Sequence, residues 1–152
     1  MNEDKLLLTI DGKTLEEYYK YYFKKYPKRK KEPIDNPIPP SLNQWMVMIR
    51  QQANNEKQKW KEFIVWLIEK YGLCNLMIDK AVITFTYYFG SKRRHDADNY
   101  TPKNIMDGFT ESGLLVDDDF SHIKMLCIKG GYDKDNPRTE ILIEVLNEKF
   151  MD

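Results

Sequence analysis

The chain has 152 residues and a mass of 18.2 kDa, a size that predicts one domain. Charged residues make up 32% and the mean hydropathy is −0.67, so the composition predicts a soluble globular protein. Lys plus Arg and Asp plus Glu each number 24, and this formal net charge of zero argues at first against a nucleic-acid-binding protein.

Two further sequence features predict a cytoplasmic protein. No apolar run approaches the roughly 20 residues of a membrane span, and the first ten residues lack the pattern of a signal peptide. Cys74 and Cys127 belong to no paired motif, so we expect two reduced thiols and no disulfide.

The amino-terminal third predicts a strand, a helix and an extended connector. Residues 6–10 form a short apolar run that ends at an Asp-Gly turn. Thr14 is expected to cap a tyrosine-rich helix over residues 15–26. Four prolines between residues 33 and 40 exclude a helix there and favour an extended connector.

The middle of the chain predicts a long helix followed by a strand. Apolar residues recur at helical spacing on one face that ends at Gly72, namely Trp60, Phe63, Ile64, Leu67, Ile68 and Tyr71. The helix is expected to begin near Asn43 or Gln44, with an earlier apolar patch at Trp45, Met48 and Ile49. Residues 81–89 are β-branched or aromatic and predict a strand.

The last third predicts one more helix and two strands. Thr101 is expected to cap the helix, with Pro102 at its first position and Gly113 closing it. Residues 123–128 and 139–146 are the expected strands, joined across Gly130-Gly131.

The net charge of zero conceals a strong segregation. Residues 13–31 contain eight Lys or Arg and two Glu, a net charge of +6, and Lys92, Arg93 and Arg94 form a second basic cluster. Residues 96–119 contain seven acids and one Lys, a net charge of −6. This pattern suits an enzyme that binds a polyanion on one surface and a cation on another, although such runs are commonly only solvated faces.

The acidic residues fall into two groups at the ends of apolar segments. Asp96 and Asp98 follow the predicted strand, and Asp117, Asp118 and Asp119 follow a second short apolar run. Carboxylates that converge from two loops repel one another unless a cation lies among them, and such oxygen ligands suit Mg²⁺ or Mn²⁺ rather than zinc.

Other interpretations of these acids are less favoured. A calcium-binding loop that begins at Asp96 would need Gly at its sixth position, where the chain has Thr101. Lys103 and Asp107 are four residues apart on the predicted helix, as in a surface ion pair of little energetic value. Beside a metal site, the same lysine would stabilise charge on a transferring phosphoryl group.

The sequence resembles the RusA family of Holliday-junction resolvases. The resemblance covers roughly residues 38–146 and rests on two motifs, Pro39-Pro40-Ser41-Leu42-Asn43 and Asp96-Ala97-Asp98-Asn99, followed by Lys103, Asp107, Gly113 and Asp117-Asp118. It divides the chain into an elaboration over residues 1–37 and a RusA-like core over residues 38–152. The spacing from Asn99 to Lys103 is one residue longer than the family pattern.

The resemblance implies a fold and a set of site residues. The fold is α+β, a single compact domain with a small mixed β-sheet packed against helices. Asp96, Asp98 and Asp118 correspond to metal-binding catalytic carboxylates and Lys103 to the catalytic lysine. The residues implied in support are Asp107, Asp117 and Asn99.

The implied function is a Mg²⁺-dependent endonuclease, with Mn²⁺ able to substitute, that acts on four-way DNA junctions as a homodimer. Lys92, Arg93 and Arg94 are expected to bind flanking phosphates, and the basic run Lys28, Arg29, Lys30 and Lys31 is either a phosphate-binding arm or a solvated turn. The expected source is a bacterial chromosome or a prophage within one. The alternatives are a catalytically weak branched-DNA-binding protein of the same fold and a cation-stabilised structural module.

Overall fold

Four strands form one mixed sheet in the computed structural model, which describes residues 4–147. The strands are β1 (Lys5–Ile10), β2 (Ala81–Phe89), β3 (Ile123–Tyr132) and β4 (Arg138–Val145). Their order across the sheet is β1-β4-β2-β3, with β2 and β3 parallel and the other two pairs antiparallel. The predicted α+β class with a small mixed sheet is confirmed.

Four helices accompany this sheet within residues 4–147, and all except the second bury side chains in one core. They are α1 (Gly12–Lys25), α2 (Leu42–Met46), α3 (Arg50–Lys70) and α4 (Lys103–Glu111). Burial alternates along β2, so that Ala81, Ile83, Phe85 and Tyr87 all lie in the core. Residues of β1 and α1 belong to the same core, because Leu8, Ile10, Leu15 and Tyr18 are buried with the rest.

The predicted buried face of the long helix is confirmed except at its end. Trp60, Phe63, Ile64, Leu67 and Ile68 are all buried. Tyr71 is 41% exposed, and its hydroxyl instead accepts a hydrogen bond from the Thr9 N–H of β1 at 3.2 Å. Gly72 follows with a φ of +71°, the left-handed conformation that ends many helices.

The predicted start of this helix is wrong, because two helices stand where one was expected. Ser41 caps α2 through a reciprocal pair of hydrogen bonds with Gln44, and α2 then ends at Met46. The long helix α3 begins only at Arg50, without a side-chain cap. Ile49 lies between them at 71% exposure, so the expected apolar patch is not part of the core.

Two other helix caps differ from prediction. Asp11, not Thr14, is the N-cap of α1; its carboxylate accepts the Thr14 N–H at 2.9 Å, and Thr14 completes the reciprocal box from the third helical position. Pro102 precedes α4 as its N-cap, so Thr101 lies one residue outside the helix.

Gly130 and Gly131, which were expected to connect two strands, lie inside one strand. β3 continues through Gly130 and Gly131 to Tyr132. A Cβ on Gly131 would lie 2.7 Å from the Tyr88 ring of the neighbouring strand, so the ring occupies the place of a side chain. β3 and β4 are also not neighbours, because β2 separates them.

Two smaller predictions concern the thiols and the membrane. Cys74 and Cys127 are both free and half-buried, which agrees with the expected thiols. Between residues 4 and 147 no helix has the length and apolarity needed to cross a bilayer.

Candidate active site

The loop after β2 carries the first pair of predicted catalytic aspartates. The His95 ring stacks on Phe89, the last residue of β2, with ring centroids 3.7 Å apart and an interplanar angle of 6°. Its Nδ1 lies 3.2 Å from the Tyr100 hydroxyl at the far end of the loop. The loop is therefore tied to the sheet at its middle.

The two aspartates of this loop lie in different environments. The Asp96 carboxylate accepts a hydrogen bond from Arg94 Nε at 2.8 Å. Asp98 lies in a short 3₁₀ turn, Ala97–Asn99, which is beside β3. Within residues 4–147 the Asp98 carboxylate has no hydrogen bond or ion pair, so its oxygens are available to a ligand.

The next residue joins the two motifs on which the family resemblance rests. Asn99 Oδ1 accepts the backbone N–H of Asn43 at 3.1 Å, across 56 residues of sequence. Ser41, two residues before Asn43, is buried and holds α2 by its cap. The Pro-Pro-Ser segment and the Asp-x-Asp-Asn loop are therefore neighbours in the fold and are joined by a direct hydrogen bond.

A second group of acids lies beside the N-terminal half of α4, where Asp118 lines a cleft with Lys103. The pKa of Asp118 is raised, first by burial, then by a hydrogen bond with Asp117 and by the negative charge of Asp107. The Asp118 N–H also donates to Asp117 Oδ1 at 2.7 Å. These three carboxylates are close enough to repel one another, which is the condition that a bound cation relieves.

Lys103 lies on α4 one turn before Asp107. Its Nζ is 3.6 Å from Asp107 Oδ2, and the lysine side chain is 68% exposed. An exposed pair at this spacing contributes about 0.3–0.5 kcal/mol, so little holds the ammonium in place. Lys103 can therefore leave Asp107 for a phosphate oxygen at small cost.

Four of the predicted catalytic or supporting residues line two different clefts, and Asp98, Asp107 and Asp117 line neither of the two. Asp96 and Asn99 line a cleft of about 670 Å³. Lys103 and Asp118 line a more apolar cleft of about 600 Å³ between α4 and the start of β3, beside the almost fully exposed Phe120. In the described part of the chain, no three His, Cys, Asp or Glu side chains are grouped closely enough to hold a metal ion.

The chemistry of the donors nevertheless fits a hard divalent cation. All three predicted ligands are carboxylates, the kind of donor that Mg²⁺ and Mn²⁺ prefer. One of them, Asp98, has no competing partner among the described residues, and the pKa of another, Asp118, is raised by burial and by neighbouring acids. The three carboxylates are therefore the right kind of ligand for such a cation, although Asp118 lines a different cleft from Asp96.

The predicted phosphate-binding residues do not all lie at these clefts, because Arg29, Lys30 and Lys31 line a different one. Arg93 and Arg94 line the cleft that contains Asp96, and Lys92 Nζ lies 5.1 Å from the centre of the Tyr132 ring. Arg29 stacks on Tyr26 at 3.9 Å and donates to the Tyr22 hydroxyl at 2.8 Å, so tyrosines anchor it. The exposed residues around it are Lys28, Lys30 and Lys31.

Three residues outside the predicted set of site residues also contribute to this region. Asn36 and Gln44 line the Asp96 cleft, and His95 holds the aspartate loop against Phe89. A signal for Gln44 was present, because Ser-x-x-Gln is a capping box that places this side chain beside the Pro-Pro-Ser segment. No family model matches this chain, and no curated protein is significantly similar to it.

Proposed function

We propose that the protein is a divalent-metal-dependent, structure-selective DNA endonuclease that resolves Holliday junctions by paired phosphodiester hydrolysis. The observation that carries the proposal is the hydrogen bond from the Asn43 N–H to Asn99 Oδ1 at 3.1 Å. It joins the two sequence motifs of the RusA-like pattern, which are far apart in the chain. Such a contact is expected if both motifs serve one site.

The charges around the motifs support the same proposal. Arg93 and Arg94 extend from the loop that carries Asp96 and Asp98, so cationic groups lie next to acidic ones. Binding a polyanion and a cation side by side is the requirement of a metal-dependent nuclease. Charge segregation over the whole chain, +6 in residues 13–31 and −6 in residues 96–119, has the same character.

Each residue has a defined role in the proposed hydrolysis. Asp96, Asp98 and Asp118 would hold the Mg²⁺ if the two groups of acids approach each other, and the ion would supply charge neutralisation at the phosphate and a more acidic water. Lys103 donates to an oxygen of the phosphate, where negative charge increases during the reaction. Arg93 and Arg94 bind the phosphates on either side and so align the strand. Water adds across one P–O bond, leaving a hydroxyl and a phosphate end.

The proposed assembly is a cytoplasmic homodimer encoded by a bacterium or a phage. A four-way junction has two-fold character, and a two-fold dimer presents two equivalent sites to two strands. Light scattering coupled to size exclusion measures the mass of the free protein and of its junction complex. A strictly monomeric complex with one nick per junction would contradict this part of the proposal.

The decisive experiment compares three DNA substrates under three metal conditions. A mobile four-way junction, a duplex and a flap are each incubated with Mg²⁺, Mn²⁺ or EDTA. We expect symmetric paired nicks in the junction with either metal and none with EDTA. Binding without cleavage under every condition would instead indicate the catalytically weak alternative.

A pair of matched variants tests the metal ligands. Asp96→Asn removes one negative charge and is expected to abolish cleavage while junction binding in EDTA persists. Asp135→Asn makes the same change at an exposed position after β3, and full activity is expected. Wild-type cleavage by Asp96→Asn would show that this carboxylate is not a metal ligand.

A further inference from the structure

A polar cleft lies between the Pro-rich segment and the aspartate loop. It has a volume of about 670 Å³, within the range of small-ligand sites. Among its lining residues are four amides, two arginines and one carboxylate: Asn36, Asn43, Gln44, Asn99, Arg93, Arg94 and Asp96. Most of these amides have no role in the proposed metal chemistry, so the cleft needs its own explanation.

Three of the amides are oriented by the backbone. Their side-chain oxygens each accept a main-chain N–H: Ile38 N–H to Asn36 Oδ1 at 2.9 Å, Ser41 N–H to Gln44 Oε1 at 2.8 Å, and Asn43 N–H to Asn99 Oδ1 at 3.1 Å. A backbone N–H can only donate, so the accepting atom of each amide must be its oxygen. The NH₂ groups make no hydrogen bond within residues 4–147 and remain available as donors.

The charged groups of the cleft add further donors. Arg93 and Arg94 carry two positive charges, and the negative charge of Asp96 offsets one of these. Arg94 uses only its Nε for Asp96, and its side chain is 87% exposed, so its terminal N–H groups remain available to a ligand. The cleft therefore offers many donors, one charged acceptor and a net positive charge.

We propose that this cleft binds the phosphodiester backbone of a DNA strand, through the amide NH₂ groups of Asn36, Gln44 and Asn99 together with Arg93 and Arg94. The inference rests on the proposed function for its choice of DNA. Phosphate oxygens are acceptors only, and Asn, Gln and Arg side chains are common phosphate contacts. Base edges present both donors and acceptors, whereas the oxygens of these three amides each already accept one main-chain N–H and keep only a second lone pair. Binding in the cleft is accordingly independent of base sequence.

One substitution reverses the chemistry of the cleft without removing its structural role. Gln44→Glu keeps a carboxyl oxygen to accept the Ser41 N–H, and Ser-x-x-Glu is itself a favourable capping box. It replaces the NH₂ donor with a negative oxygen, which repels phosphate. Gln51→Glu makes the same chemical change on an exposed side chain of α3 that does not line the cleft, and it serves as the matched control.

The measurement is fluorescence anisotropy of a labelled four-way junction in EDTA, where no cleavage occurs. Gln44→Glu is expected to raise the Kd about tenfold or more relative to Gln51→Glu, by the same factor for junctions of unrelated sequence. Arg93→Gln should lower the slope of log K against log salt by about one. Replacing the contacted phosphate of the DNA with a neutral methylphosphonate should raise the Kd of the wild-type protein but should not raise the Kd of Gln44→Glu any further. Equal melting temperatures of the two Glu variants would exclude unfolding as the cause.

Three results would overturn the inference. The first is an unchanged Kd in Gln44→Glu. The second is a Kd that Gln44→Glu raises for RNA duplexes and not for DNA. The third is a Kd that it raises for inorganic phosphate alone. Failure of the nuclease proposal is a separate result. In that case Mg²⁺ produces no cleavage, while the tenfold penalty in EDTA persists and the cleft remains a DNA-backbone site.

Discussion

Gly108 lies where the helix that carries Lys103 and Asp107 approaches the long helix α3 closely. A Cβ built on Gly108 lies 2.6 Å from both Cβ and Cγ2 of Ile64. Ile64 is fully buried, and its Cβ is fixed to the α3 backbone, so no rotamer change moves it away. Gly108→Ala therefore forces the two helices apart.

The size of the effect follows from two opposing terms. Carbon atoms in ordinary contact lie about 3.5–4.0 Å apart, so the helices must separate by roughly 1 Å. Overpacking of this kind costs about 1–3 kcal/mol. Alanine favours a helix over glycine by about 1 kcal/mol, which offsets part of the cost. Because the two contacts at 2.6 Å cannot be relieved by rotation of Ile64, the cost lies in the upper half of that range, about 2–3 kcal/mol. We therefore expect a net destabilisation of about 1–2 kcal/mol, a fall in Tm of roughly 2–8 °C for a domain of this size.

The assay is urea unfolding followed by circular dichroism, with Gly12→Ala as the control. Gly12 is the first residue of α1, and a Cβ there meets nothing within 4 Å. The same substitution at Gly12 should therefore be neutral or stabilising by up to about 1 kcal/mol. If Gly108→Ala is as stable as Gly12→Ala, the close helix contact at Gly108 does not exist. If the contact exists, cleavage should also fall in Gly108→Ala, because α4 moves with Lys103.

Three further predictions concern single side chains. Asp11→Ala removes the reciprocal cap with Thr14 and should lower the free energy of unfolding by about 1 kcal/mol in urea titrations, with the m value unchanged. The pKa of Asp118 is raised in the fold, so its protonation stabilises the folded state below the usual pKa of 3.8, and this stabilisation is lost as pH rises through the pKa of the folded state. Asp118→Asn should therefore have a higher Tm than the wild type at pH 7 in EDTA. A lower Tm would contradict the unfavourable environment of the Asp118 charge. The pKa of His122 is raised above 6.5, mainly by its hydrogen bond to the Asp79 carbonyl. The free energy of unfolding should therefore decrease as pH rises from 6.5 through the pKa of His122 in the folded state. His122→Gln should lose this part of the pH dependence.

The elements with a strong local pattern could be predicted from the sequence. β2 was predicted with its observed bounds, because alternating burial matches an unbroken β-branched and aromatic run. The buried face of α3 followed from helical spacing in the same way. Both patterns are local consequences of backbone geometry, so they need no knowledge of the rest of the fold.

The break between α2 and α3 could not be predicted in this way. Trp45, Met48 and Ile49 have helical spacing, and no Gly or Pro lies between them to mark an end. The Ser41–Gln44 cap begins a separate short helix, and Ile49 is left 71% exposed in the connection. Spacing records which residues could share a face, whereas packing against other elements determines whether that face is used.

The grouping of the acids depends on tertiary structure still more strongly. The sequence places Asp117 and Asp118 nearly twenty residues after Asp98 and cannot say which acids meet. In the fold, Asp118 is influenced by Asp107 across α4, while Asp96 is paired with Arg94 in the other cleft. The near neighbours of each carboxylate therefore come from the packing of α4 and not from the order of the motifs.

The same arrangement is compatible with the proposed binding of a polyanion by a chain of zero net charge. Asp107 and Asp117 lie near Asp118, whose pKa is raised by burial and by these neighbouring acids, whereas the donors of the Asp96 cleft are oriented by backbone hydrogen bonds. A divalent cation near Asp118 would cancel negative charge without touching those donors. By linkage, a cation that strengthens DNA binding must itself be bound more tightly, by the same factor, when DNA is present. The two halves of the site are then thermodynamically coupled, even though their side chains line different clefts.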